Sequence, residues 1–306
     1  MIYYKSIDQE MKRVYGQKVY RISLNAGLSC PNRDGTIGVG GCIFCSEGGS
    51  GDFAPSSVVP ITEQLSIGKD RIRNKAPNCK KFIAYFQAFT NTYGPIEYLR
   101  KIFFEAIEDE DVVVLSIATR PDCLGQEVLE LLAELNEIKP VWIELGLQTI
   151  HSQTATLINR GYELNVYDEA VSALKNIGIS VITHIILGLP GESENQMLDT
   201  VDYVCKSGVD GIKLQLLHIL RNTKLEEMYN ACNSDIDSFG EKRGMIHIMT
   251  MDEYFDLLEK CLSIIPPSVV IHRLTGDGPK SLLIEPHWTA DKKRVLNAMK
   301  LRFCPE

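Results

Sequence analysis

Between residues 18 and 220 the chain repeats one pattern: a short apolar run of strand length, then an amphipathic stretch of helical period. The strand-like runs are 18–25 (KVYRISLN), 81–89, 111–119, 141–149, 179–189 and 211–220. The helical stretches between them cover 62–75, 95–109, 126–138, 152–177 and 194–208. The strands are nearly continuous apolar runs rather than alternating ones, the pattern of strands covered on both faces. Strands alternating with helices of this length predict a parallel sheet with crossover helices. Six such units favour a partial (β/α)6 TIM-like barrel; an open doubly wound sheet is the alternative that periodicity leaves standing. After about residue 220 the rhythm breaks. A helix at 251–265, a short strand at 268–275 and a basic helix at 289–301 predict a C-terminal α/β extension, residues 221–306, packed on a core of residues 1–220.

A chain of 306 residues, 44% apolar and 24% charged, can bury a substantial core. Its formal charge of -8 argues against binding nucleic acid mainly through bulk electrostatics, while leaving room for a local basic face. The N-terminal segment MIYYKSIDQEMKRVYG has no signal-peptide core, and no apolar run is long enough to span a bilayer. The expected location is cytoplasmic, where the nine cysteines stay reduced or bind metal.

Three of those cysteines lie in one glycine-rich loop, CPNRDGTIGVGGCIFC, directly after the first strand. Eleven residues separate Cys30 from Cys42, and two separate Cys42 from Cys45. In a (β/α) barrel, loops after strands form the active-site face. A structural zinc site takes four protein ligands, and this loop supplies three. Cys79, the next cysteine, precedes the second strand and falls at the opposite end. Three thiolates suit an iron–sulfur cluster with one iron left open for a small molecule. Spacing alone leaves zinc and cluster both open, since CxxC serves either.

The loop resembles the radical S-adenosylmethionine (SAM) superfamily, and so do three later segments in order: SIATRPDCL (116–124), WIELGLQTIHSQTATLINRGY (142–162) and THIILGLPGES (183–193). The long first gap is similar to that of the branch holding the Elongator catalytic subunit and the YhcC-like bacterial proteins. The resemblance covers roughly residues 15–220. It implies that Cys30, Cys42 and Cys45 hold a [4Fe–4S] cluster and that the amino and carboxylate groups of SAM chelate the fourth iron. It implies reductive cleavage of SAM to a 5′-deoxyadenosyl radical, with a flavodoxin- or ferredoxin-type electron donor. Phe44 would lie beside the adenine, Gln148 would bond the ribose, and Arg160 would pair with the SAM carboxylate. Gly188 and Gly191 would let the backbone approach the adenosine. His184 stands where some relatives place an Asp, which puts a second ribose contact in doubt. Ala118 stands where others place a Glu for the SAM amino group, so Thr119, Arg120, or Gln87, Thr90 and Asn91 of the second-strand segment are the candidates to replace it.

Arg120, Cys123, His272, Arg273 and Asp277 are candidate substrate contacts; HRLTGDGPK (272–280) reads as either a substrate loop or a plain surface loop. Cys79, Cys205, Cys232, Cys261 and Cys304 read as packed or surface thiols. The similar proteins act on the wobble uridine of transfer RNA, which implies a tRNA substrate and a change to the uridine C5 side chain. Lys292, Lys293 and Arg294, with Lys300 and Arg302 nearby, are then the candidate phosphate contacts; a solvated helix face is the plain alternative. No second cysteine cluster supports methylthiotransferase chemistry, and the residues after 220 leave no room for an acetyltransferase domain. The competing readings are a radical SAM enzyme acting on a small metabolite and a non-catalytic iron–sulfur or zinc protein.

Overall fold

The computed structural model describes residues 2–49, 54–234, 246–276 and 278–305. The chain begins with β1 (Ile2–Tyr4), α1 (Ile7–Tyr15) and β2 (Tyr20–Leu24), followed by the cysteine loop. Then come α2 (Ile61–Arg73), β3 (Phe82–Phe86), α3 (Ile96–Ile107), β4 (Val112–Thr119), α4 (Gln126–Ile138) and β5 (Val141–Gln148). Next are α5 (Ser152–Leu157), α6 (Leu164–Asn176), β6 (Ser180–Leu187), α7 (Glu194–Lys206), β7 (Gly211–Leu216) and β8 (Ile219–Leu220). The C-terminal part holds α8 (Lys224–Ser234), α9 (Met251–Ile264), β9 (Val270–Arg273), β10 (Leu283–Glu285), α10 (Lys292–Arg302) and β11 (Phe303–Pro305).

Seven strands form one sheet in the order β2-β3-β4-β5-β6-β7-β9, with every neighbouring pair parallel. The sheet curls strongly. Its two edge strands, β2 and β9, come close enough for Arg21 Nη2 and His272 Nδ1 to lie 2.8 Å apart. The result is the partial barrel expected from the alternation, with a seventh strand added. That strand, β9, comes from the C-terminal segment, so His272 and Arg273 lie in the sheet and not in a surface loop. Asp277 lies outside the described residues.

Two further segments divide where one element was expected. The stretch 152–177 breaks into α5 and α6 at Asn159-Arg160-Gly161, where Asn159 (φ 54) and Gly161 (φ 81) adopt left-handed backbone. The stretch 211–220 breaks after Leu216, and β8 leaves the main sheet to pair antiparallel with β10.

Alternate strand residues face opposite ways. On β3, Phe82, Ala84 and Phe86 join the main apolar core under the helices. Ile83 instead joins Val114, Trp142 and Ile182 inside the barrel, where Met11 of α1 and Val19 cover them. Helix α1, held by a capping box between Ser6 and Gln9, thus plugs the N-terminal end of the barrel. An apolar floor leaves the C-terminal ends of the strands as the end where polar groups collect.

Candidate active site

The cysteine loop follows β2 at this C-terminal end and is folded by its own backbone. Arg33 and Asp34 amides donate to the Cys30 carbonyl, Ile37 to Pro31, and Gly41 to Asn32, at 2.8–3.2 Å. These bonds fold the eleven-residue gap back on itself, and the Cys45 amide donates to the Cys42 carbonyl at 3.0 Å. Arg33 then fixes the far side by donating to the Cys45 carbonyl (3.1 Å) and the Ser46 carbonyl (2.5 Å), while its guanidinium stacks on Phe89. The three thiols are half-buried and unbridged. A hydrogen bond from Cys45 pulls the Cys42 thiol down to about 7 against the opposing effect of burial, and Arg120 and Arg33 help. Three soft sulfur donors with two cations at hand suit iron, which binds thiolate. Among the described residues no three His, Cys, Asp or Glu side chains converge as ligands of one ion would.

Gln148 ends β5 with left-handed backbone (φ 68), an uncommon conformation for a residue with a side chain. Oriented to satisfy its surroundings, its amide nitrogen donates to the Gly146 and Leu147 carbonyls at 3.2 and 2.8 Å. The side-chain oxygen is then left as an acceptor. Gly146 permits this curl, because a Cβ there would stand 2.7 Å from the Gln148 amide.

Arg160 is only 1% exposed. Its Nη1 donates to the Leu147 (3.3 Å) and Thr149 (2.6 Å) carbonyls, and Nε and Nη2 donate to the Tyr162 carbonyl at 3.1 and 2.8 Å. The guanidinium lies over the Tyr162 ring. Arg160 therefore splices the turn after α5 to the end of β5, and a guanidinium with five donors retains one N–H on Nη2 beyond these bonds. Arg120 is held by Asp122 at 2.7 and 2.9 Å and donates to the Arg160 carbonyl at 2.8 Å.

The residues expected to replace the missing amino-group ligand are mostly engaged with the scaffold. Asn91 is 1% exposed and its amide nitrogen donates to the Ala88 and Ala118 carbonyls at 2.8 and 3.0 Å. Thr119 bonds Thr92 at 2.5 Å, and the Thr90 amide donates to Ser29. Gln87 is buried at the end of β3. Phe44 packs with Ile43, Ile158, Leu189 and Leu217 in a satellite apolar cluster beside Gly188 (φ 87). Cys123 lines an open groove of about 670 Å³ with Pro31, Ile37 and Tyr93. Burial pushes its thiol up to about 12.

One rung deeper lies a buried charged layer that sequence reasoning missed. Glu144 of β5, 1% exposed, accepts from Ser116 (2.9 Å), Arg21 (2.9 Å), His184 Nε2 (2.8 Å) and Lys213. Tyr85 stands over Arg21 and Lys213. His184, the doubtful ribose ligand, spends one ring nitrogen on Glu144, and burial lowers its pKa to about 4, leaving it neutral near pH 7. His272 is bonded to Arg21 and set edge-on to Trp142. The available signal was a lone ionisable residue in each apolar strand: Arg21, Glu144 and Lys213.

The radical SAM superfamily model matches residues 32–204, and the radical SAM C-terminal domain model matches residues 209–303. The chain belongs to the radical SAM superfamily. Relatives include YtqA of Bacillus subtilis (44% identical, 97% of this chain and 88% of that protein). YhcC of Escherichia coli K12 is 36% identical over 92% of this chain and 86% of its own length. A tRNA uridine(34) acetyltransferase of Methanocaldococcus jannaschii is 26% identical over 56% of this chain but only 30% of its own. Among solved structures, Elp3 of Methanocaldococcus infernus shares the fold with a TM-score of 0.65 and 17% identity, covering 92% of this chain and 62% of that one. Members of the superfamily use a [4Fe–4S] cluster and SAM.

The extension brings α10 to the same end of the barrel. Lys292 shares a small cleft with Leu216, at the end of β7, and Gly276, just after β9. Lys292, Lys293 and Arg294 are exposed. Arg302 is tied to Asp256 and Glu259 of α9 at 2.5 and 2.6 Å, which removes it from the candidate phosphate contacts.

Proposed function

We propose that this chain is a tRNA-modifying radical SAM enzyme that remodels the C5 side chain of the wobble uridine. When bound, the cluster and SAM together supply a 5′-deoxyadenosyl radical able to abstract hydrogen from carbon. Cys30, Cys42 and Cys45 hold the cluster, with Arg33 and Arg120 supplying positive charge beside the thiolates. The Gln148 oxygen accepts from a ribose hydroxyl. Arg160, buried on the Leu147, Thr149 and Tyr162 carbonyls, holds in place the strand end that carries Gln148. Phe44 and Gly188 bound the adenine, and Gln87 is the best remaining contact for the SAM amino group. Arg120 faces the substrate side of the mouth. Residues 1–220 supply strands β2 to β7 of the catalytic core, and 221–306 add its seventh strand, β9, and complete the rim.

The tRNA substrate is supported by similarity to the archaeal tRNA uridine(34) acetyltransferase and by the exposed Lys292, Lys293 and Arg294 beside the strand ends. A folded RNA would have to extrude one nucleotide to reach the barrel mouth. A flavodoxin- or ferredoxin-type protein supplies the electron, and the unbridged thiols fit a reducing cytoplasm. The net charge of -8 favours the second reading, a small-metabolite substrate. The deciding experiment measures 5′-deoxyadenosine formation by the reconstituted enzyme with tRNA lacking, and tRNA carrying, its native modifications. Stimulation by either, with a changed uridine nucleoside on digestion, supports the proposal. With neither binding nor stimulation, the tRNA substrate is wrong and a small molecule takes its place.

A further inference from the structure

Asn32 is the second residue after Cys30, yet it is only 1% exposed. Its Nδ2 lies 2.5 Å from the Asn159 carbonyl and 3.8 Å from Cys42 Sγ. A carbonyl can only accept, so the amide nitrogen must face Asn159. Its second N–H is then directed to the cysteine sulfur. The orientation has a cost that shows elsewhere: Asn32 Oδ1 is buried with no hydrogen-bond partner. Burying an amide oxygen unpaired is unfavourable. The surroundings are built around it nonetheless. Gly38 approaches so closely that a Cβ would stand 2.5 Å from Oδ1, and one at Gly161 would stand 3.2 Å away. The Asn32 carbonyl accepts from Gly41, whose own carbonyl accepts from Asn159 Nδ2 at 2.8 Å. Asn32 and Asn159 thus clamp the cysteine loop to the turn after α5, and the clamp holds one N–H on a ligand sulfur.

We propose that Asn32 is a positioning residue that sets the reduction potential of the cluster through its N–H on the Cys42 sulfur. Hydrogen bonds to cluster sulfurs are among the factors that set cluster potentials. The reduced cluster carries the greater negative charge, so a donor on a ligand sulfur stabilises it more than the oxidised one and raises the potential. Removing the donor makes the cluster harder to reduce; replacing it with a carboxylate makes it harder still. The inference rests on the cluster being bound by these cysteines, and iron content separates a failure of that premise from a failure of the inference.

The test uses full-length protein reconstituted anaerobically, with iron and sulfide measured before any titration. In an electron paramagnetic resonance redox titration, the potentials should fall in the order wild type, Asn32→Ala, Asn32→Asp. The expected change for Asn32→Ala is about a tenfold drop in the reduced-to-oxidised ratio at fixed ambient potential, which is 59 mV for a one-electron couple. Asn159→Ala weakens the clamp but keeps the backbone carbonyl, and should leave the potential near wild type. Wild-type protein labelled with ¹⁵N only in asparagine side chains should show a nitrogen hyperfine coupling to the reduced cluster. The inference is overturned if that coupling is absent, if loaded Asn32→Ala titrates at the wild-type potential, or if Asn159→Ala shifts it equally. Because the coupling is read on wild-type protein, it decides the matter even if the Asn32 variants do not load iron.

Discussion

The cysteine loop and the charged layer beneath it lie at successive depths of one half-barrel, but they are made in opposite ways. In the loop, polar groups are tied mainly to nearby backbone: Arg33 to the carbonyls of Cys45 and Ser46, and the Asn32 carbonyl to Gly41. In the layer, side chains from β2, β4, β5, β6 and β7 meet at Glu144. A loop of the first kind is built on its own backbone and on the Asn32–Asn159 clamp, not on the sheet register. A layer of the second kind is fixed by the sheet register, and it offers no slack. In the proposed reading the loop holds the cofactor, while the layer joins five strands of the barrel beneath it.

Substitution at the cysteines should give the largest effect on function and little on the sheet. Cys42→Ser should lower reconstituted iron to background and abolish SAM cleavage, while the unfolding midpoint of iron-free protein stays close to wild type. A large loss of iron-free stability would mean that the loop is structural after all.

The layer should behave the other way. Glu144→Ala leaves buried Lys213 and half-buried Arg21 without their carboxylate, and breaking a buried pair from one side costs about 3–5 kcal/mol. Urea unfolding of the iron-free protein measures it. Adding Lys213→Met should recover part of that loss. If Glu144→Ala unfolds like wild type, the layer is not a structural unit.

Acid should expose the same contrast. His184 has an ordinary value near 6.5 and a folded value of about 4. As pH falls through this window the unfolded chain takes up the proton first, so stability present above 6.5 is lost toward 4. The loss from this one group is at most about 3 kcal/mol, at 1.36 kcal/mol per unit. His272 shifts in the same direction, and below this window Glu144, held low by Lys213, Arg21 and His184 against its burial, adds a further loss. His184→Gln should flatten the pH dependence of the unfolding free energy between 6.5 and 4. An unchanged slope would show that His184 titrates normally.

The smallest effect belongs to the rim. Replacing Lys292, Lys293 and Arg294 together by Ala should weaken tRNA binding and reduce the salt slope by up to about 2.7, at about 0.9 per phosphate released. Uncoupled SAM cleavage should not change. A salt slope equal to wild type would place the RNA elsewhere.

The positions of strands β2 to β7 along the chain and the placement of the three cysteines could be read from the sequence, because both depend on local pattern, whereas periodicity left an open doubly wound sheet as an alternative to the curled order. Apolar runs and helical periods repeat over short windows, and a CxxC pair is contiguous. Gln148 and Gly188 were legible for the same reason, as strand-end residues in short motifs. Arg160 was singled out from its motif, but its burial and its bonds to Leu147, Thr149 and Tyr162 were not foreseen, since they depend on the break between α5 and α6. The sheet membership of β9 was hidden because a four-residue strand carries little periodicity, and its pairing with β7 joins residues about sixty apart. The Glu144 layer was hidden more completely. Arg21, Glu144 and Lys213 are each a single charge in an apolar run, and nothing within one strand says that another strand carries the counter-charge at the same depth. Local sequence determined which segments became strands and which loop holds the thiols. Only the curl and register of the assembled sheet decided which charges meet, because a buried charge is tolerable only beside a partner, and the partner here is supplied by other strands.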